Sequence, residues 1–519
     1  MHVRVTFQEG ITEASDEPRR SEAVVQVGHN LLEVAQSKGV AINAPCGGRA
    51  QCGKCLVRVI AGPAPISEGD RRLLSPGMLA EGLRLACQLR PRLATTVEVQ
   101  NRFDLHADPV VRPAPRFDPA RRAARAIVAV DLGSTSVQMR LFDASDLGLL
   151  GELSVLNKQV RRGHDVMTRM TYALRGPEAR RDLTEDARET LRALWNAARR
   201  SLVAPDGVAE RWTVAGNSVM THLLWGEPIE SLAEAPYKPA FVESRTRPAH
   251  EAGLPGGTLT TLPLLGSFVG GDTAAALLAL RFDDPGPPRM MVDIGTNTEV
   301  ALAHGETIRV CSTPAGPAFE GGNISVGMRA EVGAITSIDV REDGAIRAHT
   351  IGGGKAKGIC GTGLIQVVVA LVRAGLVSRD GAIASGADRI ALSRGVELMQ
   401  SDIRELQLAK GALRTAVRIV LAEAGLRDAD LASLQLAGAF GTHLTPRTAI
   451  DAGMLPSIDP GRVAAVGNAS LDGAERFALD PDGSARRLEA IRARIRHVEL
   501  ATRDDFQALF VQSLSLGPG

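Results

Sequence analysis

The stretch Met290-Met291-Val292-Asp293-Ile294-Gly295-Thr296-Asn297-Thr298 has an earlier counterpart in Ile127-Val128-Ala129-Val130-Asp131-Leu132-Gly133-Ser134-Thr135-Ser136. Each runs from an apolar strand into D-x-G-[ST]-[TN]-[ST] and on toward a second strand. A single Asp-x-Gly is ordinary turn chemistry; two of them, each closing an apolar strand, form a pattern. A weaker echo accompanies it. Trp212-Thr213-Val214 leads into Ala215-Gly216-Asn217-Ser218, and Leu434-Gln435-Leu436 leads into Ala437-Gly438-Ala439-Phe440-Gly441. Two halves of related plan, residues 126–287 and 288–519, predict a duplicated α/β domain with a cleft between its lobes.

The chemistry of these turns is that of phosphate binding. The glycine lets a hairpin backbone approach a phosphate, and the following N–H and hydroxyl groups donate to it. Gly133, Ser134 and Thr135, with Gly295, Thr296 and Asn297, are the candidate phosphate contacts. Asp131 and Asp293 would be repelled by phosphate, but are suited to holding Mg²⁺ through water or to orienting an attacking water. Taken with Leu436–Gly441, the pair of turns resembles the superfamily of acetate and sugar kinases, actin and the heat-shock chaperone ATPases (ASKHA). That resemblance implies ATP as ligand, with Gly438 and Ala439 in the turn that receives the adenosine. Gly361 and Gly363, ahead of the apolar run Leu364–Ala374, either let a helix start approach the nucleotide or serve tight packing between lobes. Gly270-Gly271-Asp272-Thr273 precedes another helix and presents free N–H groups at its start.

The N-terminal 100 residues read differently. Pro45-Cys46-Gly47-Gly48-Arg49-Ala50-Gln51-Cys52-Gly53-Lys54-Cys55 places three cysteines in ten residues, and Cys87 follows. Crowded thiolates are costly without a counter-ion, so the stretch predicts a bound metal. A structural zinc site favours two short Cys/His pairs, and a disulfide would have to join close neighbours in a chain that starts like a strand, not a secretory signal. The C-x5-C-x2-C spacing is one residue longer than the plant-type 2Fe-2S pattern and resembles adrenodoxin-like ferredoxins. The resemblance implies a β-grasp ferredoxin domain over residues 1–100 with a 2Fe-2S cluster on Cys46, Cys52, Cys55 and Cys87. Local pattern agrees: Val3, Val5 and Phe7 alternate on a first strand, Ala23–Val27 suits a second, and Asn30 is placed to cap a helix ending at Gly39.

Residues 101–125 carry Pro109, Pro113, Pro115 and Pro119 among six arginines, and read as a linker. As extended polyproline they would span roughly 75 Å. The net charge of +1 and an aromatic content of 3% give no support to nucleic-acid binding. The most apolar run, Leu364–Val377, contains Arg373 and is too short to cross a membrane. A reducing, cytoplasmic location is expected. Cys311 and Cys360 read as core residues, His222 and His443 as structural, and Asp402–Ala424 as a helix facing either the core or a second subunit.

A ferredoxin module joined to such an ATPase looks like the reductive activators of corrinoid proteins, on Asp293–Val300, Ser312–Gly321, Gly358–Leu364 and Ala437–Gly441 as well as the cysteine set. The resemblance implies ATP-dependent one-electron reduction of a corrinoid protein from Co(II) to Co(I). It also implies a low-potential electron donor, a homodimer, and transient binding of the corrinoid protein or its methyltransferase. The loop Ser312–Gly327 is a candidate corrinoid contact or a structural lobe loop. Two other readings stay open: an ATPase activating a CoA-ester dehydratase, and a nucleotide-gated redox sensor.

Overall fold

A computed structural model describes residues 2–9, 19–44, 47–50, 52–100, 108–120, 122–295, 297–438 and 444–518. Cys46, Thr296, Ala439 and His443 lie outside the described residues.

The N-terminal module is a five-stranded sheet in the order Arg19–Gln26, His2–Glu9, Thr95–Val99, Leu56–Ala61, Leu83–Leu85. Val3, Val5 and Phe7 are all buried, and Val5 and Phe7 join the core cluster of Leu31, Val57, Leu85 and Val97. The helix Leu31–Ser37 begins at a capping box in which Asn30 Oδ1 accepts from Glu33 N at 2.9 Å and Glu33 returns a bond to Asn30 N. Gly39 follows with φ +69°, as a helix stop requires. A second short helix, Glu68–Leu73, is fixed by Asp70. Its buried carboxylate accepts from Ser67 N, Ser67 Oγ and, at 2.8 Å, Leu85 N. That bond ties the helix to the strand leading into Cys87.

The linker expectation is corrected in part. Val110–Pro113 is a strand that pairs antiparallel with Leu149–Leu156, with Val111 opposite Leu153. It is the outer strand of the next sheet, the place where a proline without an N–H is tolerated. Val111 and Phe117 pack on that lobe's core, and Ala123 already begins its first long strand. The apolar residues outweighed the prolines.

The rest of the chain repeats one plan twice. In the first lobe Ala123–Leu132, Ser136–Asp143 and Leu149–Leu156 form an antiparallel meander, and Val203–Ala215 and then Thr258–Thr261 add in parallel on the other side of the first strand. In the second, Arg289–Ile294, Asn297–His304 and Thr307–Pro314 form the meander, and Ser433–Ala437 and Val463–Gly467 add in parallel. The motif echo is thereby given a register: Asp131 stands opposite Ala215, and Asp293 opposite Ala437.

The helices Gly271–Ala279 and Ala469–Leu479 follow the fifth strand of each lobe and pack on one another. They cross so closely that a Cβ on Gly473 would lie 1.9 Å from the Ala275 carbonyl oxygen. Arg140 adds a polar tie between lobes, reaching Asp472 at 2.6 Å and Glu475 at 2.7 Å. The helix Gln400–Glu423 buries Ile403, Leu406, Leu413, Val417 and Val420 in the second-lobe core. No helix among the described residues is long and apolar enough to cross a membrane.

Candidate active site and cluster loop

Both Asp-x-Gly turns lie at the ends of central strands, facing the junction of the lobes. The first hairpin is held from below by Asn157, a buried side chain whose Nδ2 donates to Gly133 O at 2.8 Å and whose N–H donates to Thr135 O at 2.9 Å. Arg169, also buried, donates to Ser134 O and, at 2.9 Å, to Gly163 O. Asn217, from the Ala-Gly-Asn turn, donates to Ser134 Oγ at 3.3 Å and caps the helix Ser218–Trp225. Thr135 reaches the other lobe, donating to Glu320 Oε2 at 3.2 Å. The second hairpin is met by Gly438, whose φ is +92°. A Cβ there would lie 2.5 Å from Ile294 O and 2.8 Å from Asp293 Oδ1. Gly133, Ser134 and Thr135 thus share one edge of the junction, and Gly295, Asn297 and Gly438 share the other.

The aspartates are not equivalent. Asp131 accepts from Asn468 Nδ2 at 2.7 Å and from Ser470 Oγ at 3.0 Å, both at the start of the second lobe's helix. At the corresponding helix start of the first lobe stands Asp272, a carboxylate. Burial and the charges of Asp131 and Asp293 push Asp272 up to about 7. Burial and Asp131 push Asp293 to about 7 as well. Burial raises Asp131 too, against the opposing pull of Asn468 and Ser470. Glu299, on the strand after the second turn, is raised well above the ordinary carboxylate range by burial, Asp272 and Asp293, although Ser312 Oγ donates to it at 3.0 Å. Four carboxylates therefore crowd one end of the junction with too few donors, an arrangement that calls for a cation or a proton. Among the described residues no three His, Cys, Asp or Glu side chains are close enough to chelate one ion directly, so a divalent ion here would keep water or phosphate oxygens as most of its ligands.

Asp272 and Glu299 were not picked out as site residues by sequence reasoning. Asp272 carried a signal, since Gly270-Gly271-Asp272 opens a helix at the turn equivalent to Asn468-Ala469-Ser470. Glu299 carried none beyond following the motif. Gly361 and Gly363 are explained by packing within the second lobe, not between lobes: Cβ atoms there would lie 1.6 Å from Phe319 O and 2.0 Å from Ile335 O. Cys360 and Cys311 are buried, Cys360 bonded to Ile335 O. His222 is structural, with Ser218 O against Nδ1 and Ala240 N donating to Nε2.

Residues 288–518 match the C-terminal domain of RACo, the ASKHA domain; residues 127–285 match the RACo middle region; residues 14–92 match the 2Fe-2S iron-sulfur cluster binding domain. This chain belongs to the RACo family. The corrinoid activation enzyme RamQ of Eubacterium limosum is 28% identical, with 94% of this chain and 96% of RamQ covered. The Co(II) methylated amine-specific corrinoid protein reductase of Methanosarcina barkeri is 27% identical, over 75% of this chain and 76% of its own. A solved structure described as a reductive activator for corrinoid,iron-sulfur protein has a TM-score of 0.68 at 26% identity, covering 99% of this chain and 98% of that one.

The cysteines of this RACo-family chain fit the cluster its N-terminal match describes. Leu56 pairs with Leu85, and Ala86 N donates to Cys55 O at 2.8 Å, which sets Cys55 beside Cys87. Hydrogen bonding to Cys87, burial, and the charges of Cys87 and Cys52 drive the Cys55 thiol far above its ordinary range. Such thiols are hard to ionise until iron takes the protons' place. Gly47, Gly48 and Gly53 all adopt left-handed φ, from +62° to +87°, which the tight turns between the cysteine positions need. Two irons divide four thiolates between them, so no three need converge on a single ion.

Proposed function

We propose that the chain catalyses ATP-dependent one-electron reduction of the Co(II) form of a corrinoid protein to Co(I). The observation that carries this reading is the end-to-end likeness of this chain, a ferredoxin match followed by two RACo matches, to corrinoid activators. A 2Fe-2S cluster on Cys46, Cys52, Cys55 and Cys87 would supply a one-electron couple; plant-type centres lie near about −400 mV. Each ~59 mV uphill lowers the equilibrium constant of such a transfer tenfold. ATP offsets this if its binding or hydrolysis distinguishes two states of the protein.

In this reading Ser134, Thr135, Asn297 and the turn N–H groups grip the phosphates. Asp131, Asp272 and Asp293 would hold Mg²⁺ through water, and its charge would offset the crowding that helps raise Asp272 and Asp293. Asp131, which accepts from Asn468 and Ser470, would orient water or metal. Gly438 leaves room for the nucleoside. The chain works in the cytoplasm as a homodimer fed by a low-potential donor. The CoA-ester dehydratase reading is less favoured because Cys360 and Cys311 are enclosed in the second lobe.

The test is reduction of a Co(II) corrinoid protein from the same genome, followed by loss of its Co(II) EPR signal. Reduction should require the chain, Ti(III) citrate and Mg·ATP together. An equal rate without ATP would refute the reading.

A further inference from the structure

Both lobes hold the ferredoxin module around its cysteine loop. On the first-lobe side Ala44 N donates to His164 Nε2 at 3.1 Å, and Arg162 donates to Gln36 O. Gly47 lies so close to Thr168 that a Cβ would come within 2.6 Å of its methyl carbon. On the second-lobe side Lys54 Nζ donates to Ser325 O at 3.0 Å. Ser325 is itself pinned, its N–H and hydroxyl donating to the buried Asp402 carboxylate at 2.8 and 2.5 Å.

On each side a path leads back to the nucleotide turn. Arg169 bonds Ser134 O with one arm and Gly163 O, next to His164, with another. Glu320, which takes the Thr135 hydroxyl hydrogen, lies on the loop that carries Ser325. That loop is compact, with Gly321 O only 1.9 Å from where a Gly327 Cβ would sit, so displacement at one end is passed to the other.

We propose that the two lobes form a dock for the cysteine loop, and that nucleotide at the Gly133–Thr135 turn loosens it. The inference rests on the nucleotide reading above. Thr135 has one hydroxyl hydrogen, and it is spent on Glu320. A phosphate arriving at the turn competes for that hydrogen and repels the Glu320 carboxylate, pushing the loop that holds Lys54. Release of the ferredoxin module uncovers the loop through which electrons would leave. Linkage makes the effect reciprocal: the docked module must weaken nucleotide binding by the factor with which nucleotide weakens docking.

The test uses the full chain with its cluster loaded and oxidised. Nitroxide labels replace Val24 on the ferredoxin module and Val332 on the second lobe, exposed at 66% and 63%. Pulsed EPR then reads the distance between them with and without Mg·AMP-PNP. The nucleotide should move the distribution to longer separations. Unlabelled His164→Ala and Lys54→Ala chains, which cut the dock on opposite sides, should each bind Mg·AMP-PNP about fivefold tighter or more by calorimetry. The visible spectrum of each variant confirms that its cluster is retained, and either variant suffices if the other fails to fold. Nucleotide binding with an unchanged distance distribution, or with unchanged affinity in the variants, overturns this inference alone. No binding of Mg·AMP-PNP to the intact chain removes the nucleotide reading with it.

Discussion

Asp272→Asn should make the metal-free protein more stable while disabling it. A carboxyl whose folded pKa stands above its unfolded value holds its proton more tightly when folded. Its contribution is therefore complete below about pH 4 and is lost as pH rises through the folded value of about 7. At about 1.4 kcal/mol per pH unit, the separation from 3.8 corresponds to at most about 4 kcal/mol by pH 8. The carboxyl is partly open to the lobe junction, and its titration is shared with Asp293 and Glu299, so removing one charge should recover about 1–2 kcal/mol. Asparagine keeps an oxygen for the Thr273 N–H, which now donates to Asp272 Oδ1 at 2.7 Å. The three tryptophans, Trp195, Trp212 and Trp225, all lie in the first lobe, so urea unfolding followed by their fluorescence reports this lobe. In EDTA the variant should exceed wild type at pH 8 and approach it near pH 4, and Mg·ATP turnover should fall. A stability difference that is the same at both pH values would refute the reasoning.

Serine at Cys52, Cys55 or Cys87, and at Cys46, should abolish or destabilise the 2Fe-2S chromophore, whereas Cys360→Ser should leave it intact; iron content and the visible spectrum decide. Asp131→Asn and Asp293→Asn should each reduce ATP turnover more than nucleotide affinity, measured by phosphate release and calorimetry. Gly473→Ala, whose Cβ would collide with Ala275 O, should cost about 3 kcal/mol or more because the obstacle is backbone; wild-type stability in urea would contradict the close helix crossing.

Repeated elements were legible because they leave two independent marks. Asp131 and Asp293 each follow an apolar strand and precede hydroxyl residues, and the Ala-Gly echoes fell in the matching register, opposite Asp131 and Asp293. A metal-binding N-terminal module was legible because few chemistries tolerate so many thiols so close together, and residues 14–92 do match a 2Fe-2S cluster binding domain. Asp272 was hidden because an acidic residue in a helix's first turn is ordinary chemistry; what distinguishes it is Asn468 and Ser470 in the equivalent place, a comparison that needs the fold. Glu299 sits mid-strand, where its burial against Asp272 and Asp293 is set by residues far away in sequence. Gly361 misled for a related reason. Glycine before a helix serves a ligand or a neighbouring backbone equally well, and only the position of Phe319 O decides.

The strand at Val110–Pro113 changes how the ferredoxin module can work. Linker composition suggested a tether of roughly 75 Å, but the module is anchored once its chain enters the first-lobe sheet. Ten chain steps separate Gln100, still bonded to Leu56 O, from Val110, and a fully extended chain gains at most about 3.5 Å per step. The reach is therefore no more than about 35 Å, of the order of a domain's width. A module so held cannot search solution for a distant partner. It can turn out of its dock and present its cysteine loop to a protein already seated on the lobes, at the high local concentration that a short tether enforces. Control then belongs to whatever sets the dock's strength, and the groups that set it on both sides, Arg169 and Glu320, are bonded to the nucleotide turn.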